Sequence, residues 1–291
     1  MKRLPAVSAF ALALLLLQPM PVFANMAAPK DPDVGSSITF ERNDALAVTE
    51  EVLDIKVTGS TADITAAYSM TNVTNETVST PVMFLAPNIG DGSVEVIVDG
   101  EAVPFSMDTY TLSYYQELGA EDWRYAMLNY GSSHVPGEEQ LVGISFQLDF
   151  EPGEAGEVVV SYPYRLGGYP DYAWDVKRGE ILYYLAPAAL WQDFQSLTIN
   201  LYLDSDMPVI TESSVPFEKV GSRTYQYRSD TLPKGNLEIE IDQNQVQEVL
   251  STLRNPYLLA FAAFLAPPVL VVIAVIVGIK IIVKKAGKSK Q

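Results

Sequence analysis

Apolar and polar side chains alternate with a period of two residues along several segments of the chain. These segments are 53–57, 64–70, 94–98, 142–150, 197–203 and 237–241. Such alternation is typical of β-strands with one buried and one solvated face. Asp99-Gly100, between Val98 and Val103, predicts a hairpin turn. Because no regular alternation with helices accompanies the strands, the pattern predicts a mainly β protein of antiparallel sheets, packed as one or two sandwiches.

Residues 109–129 interrupt the strand pattern. Leu112, Tyr115 and Leu118 are spaced by three residues, and Gly119 follows directly. We therefore expect a helical or irregular insert that is broken at this glycine. The strands on either side of the insert are expected to form one ectodomain over residues 37–242.

A long apolar segment lies near the C-terminus, over residues 256–283. No charged side chain occurs between Pro256 and Ile279, and about 20 apolar residues at ~1.5 Å per residue cover the ~30 Å hydrocarbon core of a bilayer. The segment predicts a transmembrane helix, with the lipid bilayer as its partner. Pro267 and Pro268 lie inside it, so it forms either one kinked span, which we favour, or a span that restarts at Pro268.

The charges after this segment predict an orientation. Lys280, Lys284 and Lys285 follow the apolar run, and the tail 284–291 contains no acidic residue. Basic flanks remain on the cytoplasmic side of a membrane, and Lys280 can extend its amine to the headgroups. We therefore expect the C-terminus in the cytoplasm and the ectodomain outside it.

Three further segments complete the predicted topology. Residues 1–24 combine a basic start, a short apolar run and small residues before Ala24, which is typical of a secretory signal peptide. Residues 25–36 are rich in proline and polar side chains and are expected to form a flexible mature N-terminus. Residues 243–255 carry apolar side chains at helical spacing and predict an amphipathic juxtamembrane helix. The chain is thus expected to be a type I single-pass protein of the bacterial cytoplasmic membrane.

Composition narrows the possible partners and chemistry. The formal net charge is -17, and all 36 acidic residues lie between Asp31 and Glu248. An acidic surface opposes nucleic-acid binding and suits cationic partners or divalent ions. There is no cysteine and a single histidine, His134, so a site of histidine and thiolate ligands is excluded. Calcium, which takes oxygen ligands, stays open although no EF-hand pattern occurs.

No catalytic motif emerges from the remaining residues. His134 follows Ser132-Ser133 in a polar loop, but no G-x-S-x-G elbow accompanies it. We therefore predict no catalytic residue, no metal site, no cofactor and no enzymatic activity. Asn72-Val73-Thr74 matches the N-glycosylation pattern, which loses its force in a bacterial protein.

Three stretches resemble a family of exported bacterial β-domain proteins of unknown function. They are residues 43–88, with an aromatic-Met-Thr-Asn run, residues 184–203, where Trp191 and Phe194 precede an alternating strand, and residues 217–241. The resemblance extends over roughly 43–241 and rests on framework residues. The Gly-rich stretch usual before the tryptophan is replaced here by alanines and a proline. The resemblance implies an exported β-domain and no known activity.

An aromatic loop is the one candidate contact site in the sequence. Tyr169, Tyr172 and Trp174 lie beside two glycines, a proline and two aspartates. Exposed rings in such a setting can stack on sugars or hold a protein partner, whereas buried rings would fill the core. The sequence favours a non-enzymatic binding or scaffold module of the bacterial cell envelope, with a protein or glycan as its partner. The alternatives are a carbohydrate-recognising or calcium-dependent surface module and a hydrolase that uses carboxylates.

Overall fold

The structure is a computed structural model that describes residues 26–30, 37–112, 128–130, 140–167, 178–185, 187, 190–205, 207–233, 235–254 and 256–288. These residues form strands β1 to β18 and helices α1 and α2. The first nine strands are β1 Met26–Lys30, β2 Ser37–Glu41, β3 Asn43–Thr58, β4 Thr61–Asn72, β5 Val78–Pro87, β6 Glu95–Val98, β7 Glu101–Ala102, β8 Phe105–Leu112 and β9 Leu128–Tyr130. The others are β10 Gln140–Phe150, β11 Ala155–Arg165, β12 Arg178–Tyr183, β13 Trp191–Gln192, β14 Ser196–Tyr202, β15 Val209–Ser213, β16 Glu218–Lys219, β17 Thr224–Ser229 and β18 Leu237–Asp242. The helices are α1 Gln245–Arg254 and α2 Pro256–Lys288.

A nine-stranded sheet forms the largest layer. Its strand order is β16-β17-β14-β3-β4-β11-β6-β7, and β13 also pairs with β3. Most neighbours are antiparallel, as predicted, but β14 and β13 both run parallel to β3. A parallel pair needs a long crossover connection, and the chain between β3 and β14 includes several other strands. The Asp99-Gly100 hairpin between β6 and β7 is confirmed, with φ of 50° and 82° at its two turn residues.

Six strands form a closed hydrogen-bonded ring in the order β1-β2-β9-β8-β10-β5. The expected flexible segment 25–36 is corrected in part, because Met26–Lys30 is a strand that pairs with both β2 and β5. Met26 and Ala27 are fully buried, and the Trp191 indole N–H donates to the carbonyl oxygen of Met26. Burial of these apolar side chains explains why the segment is held in place despite its polar composition.

The expected insert at 109–129 is also corrected at both ends. Residues 109–112 belong to β8 and residues 128–129 belong to β9, and these two strands pair with each other. Tyr110 is buried in a small core cluster, so the strand pattern continues into the segment that was expected to break it. Residues 113–127 lie outside the described part of the chain.

A three-stranded sheet, in the order β12-β18-β15, packs on the main core. Its inward side chains include Ile181, Tyr183 and Ile239, which share one core cluster with Leu53 of β3. Along β10, Ile144 is buried and Ser145 is only half-buried, which confirms the predicted register of that strand. Three sheets therefore enclose one principal core, and the coarse prediction of a mainly β fold in antiparallel sheets is confirmed.

The two helices follow the last strand directly. Helix α1 begins with a capping box, in which Asn244 Oδ1 accepts the Gln247 N–H at 2.9 Å and Gln247 Oε1 accepts the Asn244 N–H at 3.3 Å. Helix α2 runs through Pro267 and Pro268 without ending, so the chain does not restart at the second proline. Many side chains of α2 are not described, and within the described residues no helix combines the length and the apolar character required to cross a membrane.

Candidate functional site

The predicted aromatic contact residues fall in a segment that the structure does not describe. Tyr169, Tyr172 and Trp174 all lie within residues 168–177, so their exposure stays a prediction. Lys280 lies on α2 and is exposed, whereas the side chains of Lys284 and Lys285 are outside the described set. The structure therefore brings none of these residues into a site, and the candidate site lies elsewhere.

An open cleft of about 470 Å³ lies against the three-stranded sheet. One wall is formed by side chains of β12, β18 and β15, and the opposite rim includes Asn88, Tyr164 and Gly167. The volume falls within the range of about 300–1,000 Å³ that is usual for small-molecule sites. Because regular strands supply most of the lining, the cleft is built on fixed backbone rather than on loops.

Four glutamates line this cleft: Glu180, Glu212, Glu238 and Glu240. Glu180 of β12 lies directly opposite Glu240 of β18, and Glu240 lies opposite Glu212 of β15, after a bulge in that strand. Like charges directly opposite each other destabilise a sheet, so packing alone does not favour this row. Together the carboxylates give the cleft a negative potential that attracts cations.

The rim of the cleft is fixed by hydrogen bonds around Tyr164. Its hydroxyl oxygen accepts the backbone N–H of Leu182 at 2.9 Å and the side-chain amide of Asn88 at 3.3 Å. Gly167 and Glu180 exchange two backbone hydrogen bonds at 2.9 and 3.0 Å. These contacts connect β12 to the end of β11, so the distance between the two walls of the cleft depends on the position of β12.

A fully buried carboxyl group lies behind the cleft wall. Glu51 of β3 has 0% exposure, and its Oε1 atom accepts the Tyr183 O–H at 2.8 Å. The Tyr183 hydroxyl lies 3.0 Å from the hydroxyl of Tyr68. Since Tyr183 has a single proton and donates it to Glu51, Tyr68 donates to Tyr183 and completes a chain of hydrogen bonds across β4, β12 and β3.

Burial raises the pKa of Glu51 to about 7, from an ordinary value of 4.5. The cause is loss of hydration, which disfavours the charged form, and the hydrogen bond from Tyr183 and the nearby hydroxyl of Tyr68 oppose it. The same burial, together with the nearby Glu51 charge, raises the pKa of Tyr68 and of Tyr183 well above the usual tyrosine range. The carboxyl group is therefore the one member of this cluster that changes its protonation near neutral pH.

Two polar atoms of this cluster are buried without a hydrogen-bond partner among the described residues. They are Glu51 Oε2 and the hydroxyl of Tyr162. Phe84 packs edge-on against both Tyr162 and Tyr183, with ring centroids 5.6 and 6.2 Å away. A buried polar atom with no partner is unfavourable by about 1–3 kcal/mol. These two atoms therefore lower the stability of the folded chain.

The residues of the cleft and of the cluster were not singled out by the sequence patterns. Glu238 and Glu240 alternate with apolar residues, and that pattern is the same for any solvated strand face. The sequence could have indicated the burial of Glu51, because this residue lies on the same alternating face as Leu53, Ile55 and Val57. A carboxylate at an inward position is the exception that marks a buried polar group.

Metal binding finds no support within the described parts of the chain. No group of three or more histidine, cysteine, aspartate or glutamate side chains in those residues is arranged to hold a metal ion. The acidic row therefore lies in register along the sheet without forming a metal-ligand cage.

Comparison with solved structures places the fold among known ones. The fold is similar to the crystal structure of a Legionella pneumophila protein provisionally called a nutrient-binding protein, with a TM-score of 0.51 and 14% identity over 80% of this chain and 77% of that chain. At that identity the likeness shows the fold alone. No family model and no curated protein sequence matches the chain.

Two other solved structures align more distantly. Yeast LTA4 hydrolase aligns with a TM-score of 0.38 and 10% identity, over 80% of this chain and 32% of that chain. An M1 zinc metallopeptidase from Deinococcus radiodurans aligns with a TM-score of 0.34 and 12% identity, over 70% of this chain and 43% of that chain. These scores are too low to carry an argument about activity.

Proposed function

We propose that the chain is a membrane-anchored, non-enzymatic binding module of the bacterial envelope, and that its cleft binds a small cationic molecule. The observation that carries the proposal is the cleft of about 470 Å³, which has Glu180, Glu212 and Glu240 in one row across three strands. Carboxylates on adjacent strands repel one another unless a positive charge lies between them. A bound amine or guanidinium group would remove that repulsion and gain charge-assisted hydrogen bonds.

The Legionella protein with a similar fold supports a binding role only through its provisional name, which concerns nutrients. The proposed class of ligand is inferred from the residues that line the cleft. The cleft is large enough for a small organic cation, and four glutamate carboxylates lie along it.

The membrane anchor and the orientation are supported by the sequence. The charge-free run between Pro256 and Ile279 and the basic residues after it motivate an anchor in α2 with the C-terminus in the cytoplasm. An ectodomain attached in this way would present its cleft outside the cytoplasm, where small nutrients or signals are captured. The proposal also includes a secretory signal peptide at residues 1–24, a juxtamembrane position for α1, and an ectodomain of one or two packed sandwiches.

Binding to full-length protein in detergent tests the proposed ligand class. The panel contains putrescine, spermidine, arginine, glucose and Ca²⁺, and binding is followed by calorimetry and by the shift in melting temperature. We expect at least one organic cation to bind and the affinity to fall as salt rises. Glucose is expected not to bind, and neither is Ca²⁺.

The matched variants are the double substitution Glu212→Gln with Glu240→Gln, and the single control Glu218→Gln on the exposed strand β16. The double variant should weaken cation binding by tenfold or more, because each carboxylate contributes a charged contact. The control should bind like the parent chain. Equal binding by the double variant and the parent, or binding of glucose or Ca²⁺ alone, would remove the cationic-ligand proposal.

A further inference from the structure

Strand β12 connects the cleft to the buried carboxyl group. Glu180, Ile181 and Leu182 line the cleft, and Ile181 and Tyr183 belong to the main core. On the core side Tyr183 donates to Glu51, and on the cleft side the Leu182 N–H donates to Tyr164. The same short strand therefore forms the cleft wall and covers the carboxyl group.

Among the described residues, no positive charge lies next to Glu51 to balance its ionised form. The titratable groups that face it are Tyr68 from β4, Tyr183 from β12 and Tyr162 from β11. From β14 its directly opposite neighbour is the apolar Leu197. Within the described residues none of these groups is a cation, so an ionised Glu51 gains stability chiefly by reaching water.

Strand β12 has fewer strand contacts than β3, the strand that carries Glu51. Glu51 itself lies on β3, which is held between β4 and β14 inside the nine-stranded sheet. By contrast β12 has only six residues, and among the described residues it pairs in register with β18 on one side and with the single residue Gly167 on the other. Elements with few partners open at lower free energy than central strands.

We propose that β12 is a proton-linked gate: ionisation of Glu51 favours detachment of Tyr183 and β12 from the core, so the wall of the cleft loosens as the pH rises. Detachment would hydrate the Glu51 carboxylate and remove the constraint on the Leu182–Tyr164 contact at the same time. The consequence for ligand binding rests on the proposed function of the cleft. The opening itself does not depend on any ligand.

The sign and size of the effect follow from linkage. In the closed state the pKa of Glu51 is about 7, and in an opened, hydrated state it approaches 4.5. The opened state therefore binds fewer protons between these values, so its population rises with pH in that window and levels off above about 7. The full difference corresponds to a change of up to roughly 300-fold in the opening equilibrium.

Hydrogen exchange measured by mass spectrometry tests this gate in the full-length chain in detergent, between pH 5 and 8.5. Exchange rates are corrected for the intrinsic pH dependence and converted to opening equilibria. We expect the peptide over 178–183 to open more readily than the peptide over 140–150 in β10, with a rise of up to roughly 70-fold between pH 5 and 8.5 that levels off above about pH 7. Glu51→Gln should abolish the rise, and Glu50→Gln, at the exposed neighbouring position, should retain it.

The variant Tyr183→Phe provides a second test of the gate, which remains informative if Glu51→Gln does not fold. Loss of the Tyr183 donor disfavours the ionised carboxylate further, so the rise should extend to higher pH. A flat profile in the parent chain, an unchanged profile in Glu51→Gln or Tyr183→Phe, or identical opening of the two peptides would each overturn the gate. None of these results bears on cation binding, so the gate and the proposed ligand class fail separately.

Discussion

Asn72 provides the sharpest test of what holds the β-domain together. This side chain is completely buried at the end of β4. Its amide nitrogen lies 2.8–3.1 Å from the carbonyl oxygens of Glu76, Phe150 and Glu151. Its Oδ1 accepts the backbone N–H and the hydroxyl of Thr74, at 2.9 and 2.8 Å. One amide therefore connects the loop after β4 to the turn after β10.

The expected loss on Asn72→Ala can be worked from these contacts. Each intramolecular hydrogen bond contributes about 0.5–1.5 kcal/mol, and a buried polar atom left without a partner is unfavourable by about 1–3 kcal/mol. Of the hydrogen bonds that Asn72 makes, only the one to Phe150 is fully buried. Solvent can therefore reach several of the groups that would lose a partner. We therefore expect a decrease of roughly 3–5 kcal/mol in the free energy of unfolding, which for a domain of this size is about 6–20 °C in melting temperature.

The matched control is Asn75→Ala, an exposed asparagine that also begins an Asn-x-Thr pattern. It should change the free energy of unfolding by no more than about 0.5 kcal/mol. The measurements are urea unfolding and thermal melting of the full chain in detergent, followed by circular dichroism. A loss below 1 kcal/mol for Asn72→Ala, or equal losses for the two variants, would refute the assignment of this amide as a structural connector. Burial also removes Asn72 from consideration as a glycan acceptor in the folded chain.

Three further predictions concern protonation, packing and topology. The folded-state pKa of Glu51 is raised from 4.5 to about 7, so the contribution of this group to the free energy of unfolding is largest below pH 4.5, falls by roughly 3 kcal/mol as the pH rises to about 7 and is then constant. In urea titrations at several pH values, the difference in stability between the parent chain and Glu51→Gln should change by this amount over the same window. Ile144→Asp places an unpaired charge in the core and should cost several kcal/mol, whereas Ser145→Asp should stay within about 1 kcal/mol; similar melting temperatures for the two would contradict the register of β10. Protease added outside spheroplasts should digest the ectodomain and leave a C-terminal tag intact, and cleavage of the tag in unbroken spheroplasts would reverse the proposed orientation.

Short-range patterns predicted the local structure well. The alternation around Leu53 and Ile55 gave the correct inward face of β3, and the Asp99-Gly100 turn is present with the expected backbone angles. These features depend on side-chain direction and on turn conformation, which neighbouring residues determine.

Long-range pairing could not be predicted in the same way. The parallel neighbours of β3 and the pairing of β1 with β5 join segments that are distant in sequence. The acidic row needs β12, β18 and β15 side by side in one register, and no local pattern specifies that arrangement. The sequence therefore shows each carboxylate of the candidate site, but it does not predict that the folded chain brings them together.

Tertiary burial also overrode composition at two places. Residues 25–36 are rich in proline and polar side chains, yet Met26–Lys30 within them is a strand because β2 pairs with it on one side and β5 on the other. Glu51 is buried although glutamate is among the residues least often found inside proteins. The predicted role of Tyr169, Tyr172 and Trp174 depends on residues outside the described structure, and it stays a prediction.

The connection between β18 and the helices has a mechanical consequence. Only Gln243 and Asn244 separate the end of β18 from the start of α1, and Gln247 Nε2 also donates to the carbonyl oxygen of Ser205 at 2.5 Å. A connection of two residues can extend very little, so tension that is applied to α2 is transmitted to β18. Because β18 lies between two antiparallel partners, whose hydrogen bonds run perpendicular to the strand, pulling along it loads those bonds together in shear rather than one after another. The central strand of the cleft is thereby also well placed to resist force that is applied through the C-terminal helices.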